Sequence, residues 1–266
     1  MKKQITVMML VLAVLLGACD KNDNIRLISI DEEIQIGQQV SQEINNNPAE
    51  YPVLDETEYP EAYDYMEDLF LEILNSGEVA YRDEFPWQIK IIHDDDVLNA
   101  FAAPGGFVYV YTGLIKYLDT EDDLAGVLGH EIAHADLGHT RRNIQKAYGL
   151  QAVLSILTGN ASQVEQIAAD LLANAAILKF SRDFESEADD ESVEYLASTK
   201  YNCAAARSFF QKLIDEDQTG GTPEFLSTHP NPDNRVEDIT KKAEEIGCDT
   251  KPLNPASYQD FKAMLP

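Results

Sequence analysis

The sequence predicts an α+β fold that is mainly helical, with a small antiparallel sheet beside one central helix. Apolar residues recur with the helical period over most of the chain, whereas residues from Trp87 to Tyr111 follow the period of strands. The third observation is Leu124–His139, an apolar stretch in which two histidines lie four residues apart, as on one face of a buried helix. No internal repeat is visible, so we expect one domain rather than a repeat array.

The first residues resemble the signal of a bacterial lipoprotein. After a basic start, the apolar run from Ile5 to Leu16 is too short for a comfortable membrane span. It ends in the letters LGAC, a lipobox-like sequence in which the signal is cut before Cys19 and this cysteine carries lipid. An ordinary secretory signal followed by a chance cysteine is the alternative. The expected division is a signal peptide at 1–18, a tether at 19–29, the main domain at 30–250 and a C-terminal tail at 251–266.

Charge and cysteine content restrict the partners of the chain. The formal net charge of −27 repels nucleic acid and anionic lipid headgroups. We therefore expect no nucleic-acid partner, and a lipid rather than a basic patch should hold the protein to a membrane of the bacterial cell envelope. With Cys19 used for lipid, Cys203 and Cys248 remain as a pair, for which an oxidising compartment favours a disulfide.

The first half of the chain alternates between helical and strand patterns. Helices are expected at Ile30–Ile44 and Ala62–Asn75. Strands are expected at Trp87–Ile91, Leu98–Ala102 and Phe107–Tyr111, and Pro104-Gly105-Gly106 should turn the last two into a hairpin.

The second half is predicted to be helical. Arg141–Phe180 should form a helical hairpin interrupted near Gly159, packed on the core or, alternatively, covering an active site. Further helices are expected at Ser181–Ser198, Ala204–Asp215 and Asp233–Ile246, with Ser181 as an N-cap, and the residues after Cys248 should be extended.

The central stretch contains the pattern H-E-x-x-H at His130, Glu131 and His134. Side chains four residues apart on a helix lie above one another, so both imidazoles can reach one metal ion. Glu131 lies beside them, where it could take a proton from water. Asp122 or Asp123 is expected to cap this helix. The alternative is a buried helix with two histidines and no metal.

A catalytic zinc site needs a third protein ligand. If the helix continued, His139 would lie about 180° from His130, and we therefore expect it to be structural. Glu185 and Asp189 share one face of a later helix, whereas Glu187 points nearly the other way. Composition alone would assign these acids to the general acidic surface.

The region from Asn99 to Arg235 resembles the HtpX-like and CAAX-prenyl-endopeptidase-like zinc metallopeptidases. These are gluzincins whose signature pairs H-E-x-x-H with a downstream E-x-x-x-D. The resemblance is carried, in order, by Asn99-Ala100-Phe101-Ala102 with Pro104-Gly105-Gly106, by His130 to His134 with the trailing His139, by Ser181-Arg182 with Glu185 and Asp189, and by His229-Pro230 with Arg235.

The resemblance implies a zincin-like metallopeptidase domain with one Zn²⁺ per chain, bound by His130, His134 and Glu185. It also implies that Asp189 supports a ligating ring and that Glu131 is the base. His229 is implied as either a displaceable fourth ligand or an oxyanion donor, and Arg235 as an anchor of that region or of the substrate. Asn99, Ala100 and Phe101 would belong to an edge strand that binds extended peptides.

The expected activity is zinc-dependent hydrolysis of peptide bonds in unfolded or misfolded cell-envelope proteins. Two alternatives remain at this point. The protein could be a latent enzyme whose open zinc position is closed by His229 or by the Arg141–Phe180 hairpin. It could also be a non-catalytic, chaperone-like lipoprotein that binds unfolded chains at its edge strand.

Overall fold

The computed structural model describes residues 26–157, 159–173, 179–217, 225–230, 234–253 and 256–266. The expected signal peptide at 1–18 and the expected lipidation site, Cys19, lie outside the described residues. The helices are α1 (Ile30–Asn46), α2 (Pro60–Leu74), α3 (Thr112–Tyr117), α4 (Glu121–Asp136), α5 (His139–Leu157), α6 (Ala161–Ala173), α7 (Arg182–Ala197), α8 (Ala206–Asp217), α9 (Phe225–Thr228), α10 (Arg235–Ile246) and α11 (Ala256–Met264). The strands are β1 (Gln88–Ile92), β2 (Ala100–Ala103) and β3 (Phe107–Tyr111). The prediction of a mainly helical α+β fold is confirmed.

The sheet is mixed, and the expectation that it is wholly antiparallel is wrong. Its strand order is β1-β3-β2. β2 and β3 form the expected antiparallel hairpin, with Phe101 opposite Tyr109, but β1 runs parallel to β3. The chain passes from β1 to the far edge of the sheet before the hairpin brings β3 back into the middle. This crossover, which strand patterns do not reveal, gives β1 and β3 the same direction.

Helix α4 begins at Glu121, and the expectation that Asp122 or Asp123 is its N-cap is wrong. Thr120 is the N-cap, and its side chain and that of Asp123 form a reciprocal capping box. Asp122 instead accepts hydrogen bonds from the backbone N–H groups of Asn202 and Leu253. Every residue of α4 is buried.

The lack of a side chain at Gly126 lets another helix approach α4 closely. A Cβ atom at Gly126 would collide with the backbone N of Ala206, the first residue of α8. Helix α7 packs against α4 more extensively than any other element does, and β2 lies beside it as well. These contacts place α4 at the centre of the larger of two apolar clusters.

The helical hairpin after α4 is confirmed as α5 and α6, although α5 starts at His139 and has a kink at Gly149. No helix in the described part of the chain is both long and apolar enough to cross a membrane. Ser181 caps α7 as expected, since its side chain accepts a hydrogen bond from the N–H of Phe184 at 3.2 Å.

The two ends of the described chain pack more closely than expected. The predicted tether extends to residue 29, yet Ile28 is buried and its N–H donates to the Gln145 side chain. The expectation of an extended segment after Cys248 is wrong for α11. Tyr258 and Phe261, three residues apart on this helix, are both buried, and that burial stabilises a helix whose sequence alone is only weakly amphipathic.

A disulfide joins Cys203, which follows α7, to Cys248, which follows α10. The backbone N–H of Cys203 also donates to the carbonyl of Asp249 at 3.0 Å. Since α10 begins at Arg235, the bond ties the helix that carries this arginine to the segment that follows α7.

The acidic face of α7 makes stability depend on pH. Burial raises the pKa of Glu191 to about 7, and the negative charges of Glu194 and Asp136 add to the rise while Lys242 opposes it. An acid whose pKa rises on folding binds more protons in the folded state. The free energy of unfolding should therefore fall as pH rises from 4.5 to about 7.

We expect Glu191→Gln to raise the free energy of unfolding at pH 8 by about 1 kcal/mol, after discounting for the partial exposure of the group. Near pH 4 the effect should vanish, because the wild-type acid is then neutral as well. Urea unfolding at both pH values measures the difference, with Asp183→Asn, which removes an exposed charge from the same helix, as the control. Equal gains for the two variants at pH 8 would assign the effect to net charge instead.

Candidate metal centre

Three elements bring four potential metal ligands together. His130 and His134 on α4 direct their Nε2 atoms toward each other at 2.9 Å. Glu185 on α7 places its Oε2 atom 3.3 Å from His130 Nε2 and its Oε1 atom 3.5 Å from His134 Nε2. His229, which follows α9, brings Nδ1 within 3.2 Å of Glu185 Oε1 and 3.4 Å of His130 Nε2. All four side chains are buried, and their ligand atoms lie within 4.8 Å of one another.

This donor set fits a zinc ion. Zinc bonds of about 2.1 Å in a tetrahedron separate neighbouring ligand atoms by about 3.4 Å, close to the spacings among these four groups. Two imidazoles and a carboxylate are also the protein ligands of one class of catalytic zinc site. A buried carboxylate among imidazoles requires a compensating charge, which a divalent cation supplies.

The electrostatics of the group favour an ionised Glu185 and a neutral His134. Burial opposes ionisation of Glu185, but His229 and His130 outweigh it and hold the pKa of this carboxyl well below its usual value. Burial lowers the pKa of His134 far below its usual value, and nearby His130 adds to that effect. The pKa of His130 is raised to about 9 because Asp189 and Glu185 outweigh its burial. Metal binding would therefore release a proton from His130.

Asp189 contacts His130 at Nδ1, the ring nitrogen that faces away from the other ligands, and Arg235 lies against both Asp189 and Glu185. Asp189 lies one helical turn after Glu185 on α7, and its Oδ1 atom is 2.9 Å from His130 Nδ1. The Arg235 Nη2 atom is 2.7 Å from the same oxygen and 3.1 Å from Glu185 Oε2. The ring of Phe210 lies 3.4 Å from the centre of this guanidinium. Arg235 is thus buried against the carboxylates of the site.

Glu131 is fully buried between the histidine cluster and the edge of the sheet. Its Oε1 atom is 3.5 Å from His229 Nε2. Burial raises the pKa of Glu131, although His229, His130 and the backbone N–H of Ala102 favour its charged form. The carboxylate therefore faces β2, the strand at the free edge.

Two of the three residues predicted to bind substrate belong to this edge strand. Ala100 and Phe101 belong to β2, whereas Asn99 precedes it and accepts a hydrogen bond from the Ala100 N–H on its side-chain oxygen at 3.0 Å. The Ala102 carbonyl accepts a hydrogen bond from the Thr140 hydroxyl at 3.4 Å. In the described part of the chain, β2 has a strand partner on one side only.

Aromatic rings cover the cluster. Phe180 stacks on His134 with ring centroids 3.8 Å apart, and Phe225 stacks on His229 at 4.3 Å. The short helix α9 is held in place by two backbone bonds, from the Phe225 N–H to the Leu98 carbonyl and from the Phe180 N–H to the Thr228 carbonyl. Sequence patterns did not single out these two phenylalanines.

His139 occupies a place that the sequence argument did not predict. The expected orientation requires a continuous helix, but α4 ends at Asp136 and Gly138 adopts a left-handed φ of 65°. The turn brings His139 Nδ1 to 2.8 Å from His134 Nδ1. Glu187, expected to point away, reaches His139 Nε2 at 3.0 Å. The signal that could have revealed this is the glycine itself, which commonly ends a helix in the left-handed conformation.

Comparison with known proteins is consistent with this geometry. A family model described as peptidase family M48 matches residues 60–243. The beta-barrel assembly-enhancing protease of Yersinia pestis is 30% identical over 247 residues, which cover 88% of this chain and 48% of that protein. Metalloprotease YcaL of Escherichia coli (strain K12) is 34% identical over 158 residues, covering 58% of this chain and 61% of the relative. The mitochondrial metalloendopeptidase OMA1 of Schizosaccharomyces pombe is 30% identical over 162 residues, covering 60% of this chain and 48% of the relative. The chain spans about half the length of most of these relatives.

Proposed function

We propose that this chain, which belongs to peptidase family M48, is a zinc metalloendopeptidase that cleaves unfolded or misfolded proteins of the bacterial cell envelope from a lipid anchor on Cys19. The observation that carries the catalytic part is the buried convergence of His130, His134 and Glu185 beside Glu131. The name of the Yersinia relative supports the envelope part, because β-barrel proteins pass through an unfolded state before they assemble.

The proposed ligands are His130, His134 and Glu185, with Asp189 holding the His130 ring through Nδ1. A zinc ion bound there would supply a Lewis acid that lowers the pKa of water to about 7 and polarises the scissile carbonyl. Arg235 is proposed as an anchor rather than as a substrate contact, since its Nη2 atom already pairs with Asp189 and Glu185.

Glu131 is the proposed general base. Its carboxylate accepts a proton from the attacking water and then delivers this proton to the leaving amine. Burial raises the pKa of Glu131, which strengthens it as a base. The backbone N–H of Ala102 favours the charged form of Glu131, which supports a position of the proposed base near β2.

The edge of β2 is the proposed binding surface for substrate. An extended peptide that adds to this edge would form main-chain hydrogen bonds, which make few demands on sequence. Such recognition suits unfolded chains, whose backbone groups are free to pair. Because Glu131 faces the same edge, a peptide bound there would pass close to the base.

We propose that the chain consists of a signal peptide, a tether, a peptidase domain and a C-terminal segment. Residues 1–18 would be removed as a signal peptide, and Cys19 would carry the lipid. The tether would begin at Cys19 and end before Ile28, which packs into the domain. The peptidase domain would extend from Ile28, two residues before its expected start at residue 30, to residue 250, and α11 in the segment 251–266 packs against it.

We expect Glu131→Gln to retain one zinc per chain and to lower the cleavage rate of an unfolded protein by about 10²- to 10⁴-fold, because only the proton acceptor is lost. Zinc content by elemental analysis and cleavage of reduced, unfolded substrate measure the two properties. Glu244→Gln, at an exposed position on α10, is the control. Wild-type cleavage by Glu131→Gln would show that the base is wrongly assigned. In cells, envelope proteins cleaved by the wild type but not by this variant would identify the substrates.

A latent form is the second candidate, and the position of His229 favours it. Its Nδ1 atom lies among the other ligand atoms, where it would take the coordination position that water needs. The structure would then represent a closed form, and substrate binding would require His229 to move away.

For a latent enzyme, His229→Ala should raise basal cleavage several-fold, because the fourth position becomes open to water. If His229 instead donates a hydrogen bond to the oxyanion, the same change should lower cleavage by about 10²-fold or more. Initial rates at equal zinc content distinguish the two roles. Unchanged rates would exclude both of them.

Lipid anchoring is tested separately from catalysis. Cys19→Ala should abolish incorporation of labelled palmitate and move the protein from the membrane fraction to the soluble fraction. Zinc-dependent cleavage by the purified variant should stay at the wild-type rate. Continued membrane association without label would contradict the lipid anchor while leaving the catalytic proposal intact.

A further inference from the structure

We propose that His139 and Glu187 are positioning residues that fix His134 in the ring orientation and tautomer required for metal binding. The inference rests on the proposed role of His134 as a ligand. Asp189 contacts the free nitrogen of His130 directly, but no carboxylate contacts the free nitrogen of His134 among the described residues. His139 occupies that position instead.

The contacts form a continuous chain of three side chains. His134 Nδ1 is 2.8 Å from His139 Nδ1, and His139 Nε2 is 3.0 Å from Glu187 Oε2. His134 and His139 are fully buried, whereas the Glu187 side chain is 46% exposed. The chain therefore runs from the metal centre to the protein surface.

The groups at the two ends of this chain of contacts, the metal-binding His134 and the Glu187 carboxylate, determine the direction of both hydrogen bonds. A ring that binds metal through Nε2 keeps its proton on Nδ1, so His134 must donate to His139. His139 then accepts on Nδ1 and carries its own proton on Nε2. That proton points at the Glu187 carboxylate, which can only accept. Both tautomers are determined once Glu187 is in place.

Packing holds the chain of contacts in one geometry. The His139 ring stacks on Phe184, with centroids 4.4 Å apart and planes 4° from parallel. The guanidinium of Arg142 lies 4.0 Å from the centre of the same phenylalanine ring. Its Nη1 atom is 2.9 Å from Glu187 Oε2. Arg142 thus holds the carboxylate where His139 can reach it.

Helix α7 would then supply three acids with three separate tasks. Glu185 is the proposed ligand, Asp189 orients His130 directly and Glu187 orients His134 through His139. Glu187 does not share the face of the other two, and the turn at Gly138 explains why it still contributes. This turn moves the intervening histidine off the axis of α4 and toward α7.

The test is zinc affinity, measured on the full chain in detergent by competition with a chromophoric chelator. His139→Phe keeps a ring that can stack on Phe184 but has no acceptor, and it should weaken zinc binding about 10- to 100-fold. His139→Gln retains one acceptor and one donor and should bind zinc more tightly than His139→Phe does. Glu187→Ala, at a half-exposed position that tolerates substitution, should weaken binding several-fold. Asp183→Asn, the matched loss of an exposed charge on α7, should leave binding unchanged.

A second measurement reports on the tautomer directly. In zinc-loaded protein with ¹⁵N-labelled histidine, the His134 Nδ1–H proton should give a downfield NMR signal that His139→Phe abolishes. Wild-type zinc affinity in both His139→Phe and Glu187→Ala would overturn the inference and leave the proposed function standing. Failure of the wild type itself to bind one zinc would instead refute the ligand assignment on which the inference rests.

Discussion

The fold depends on holding a carboxylate of one helix against two imidazoles of another in a buried site. Glu185 is fully buried, so its charge must be balanced by a cation or by neighbouring donors. The close packing of α4 and α7 provides this arrangement, and the Arg235 guanidinium supplies positive charge from a third helix. The buried side chain of Asp189 supports the same contact through His130 Nδ1.

The same constraint explains why the site is closed. The ligand atoms are covered by stacked rings of Phe180 and Phe225, and His229 completes a four-membered donor set. In the proposed latent form, a peptide at the edge of β2 would reach the centre only if His229 and the α9 turn moved. Water and His229 would then compete for one coordination position.

Short-range sequence patterns predicted much of the fold, because helix caps and the spacing of apolar residues depend on interactions between residues close in sequence. The limits of β3, the N-cap at Ser181 and the pair His130 and His134 follow from short-range periodicity and capping. The direction of β1 and the helix α11 depend on distant contacts that no local pattern contains. Glu185 was identified only through resemblance to a known family, since an acidic chain offers many equivalent carboxylates. The orientation expected for His139 is wrong because the left-handed residue Gly138 ends the helix before it, and helical periodicity does not continue past such a residue.

Diffraction from crystals of the zinc-loaded protein, recorded on both sides of the zinc absorption edge, tests the central claim most directly. If His130, His134 and Glu185 bind one zinc ion, there should be one anomalous peak per chain, about 2.1 Å from Nε2 of His130, Nε2 of His134 and a carboxylate oxygen of Glu185. A zinc peak elsewhere, or a Glu185 side chain turned away from the ion, would contradict this ligand set.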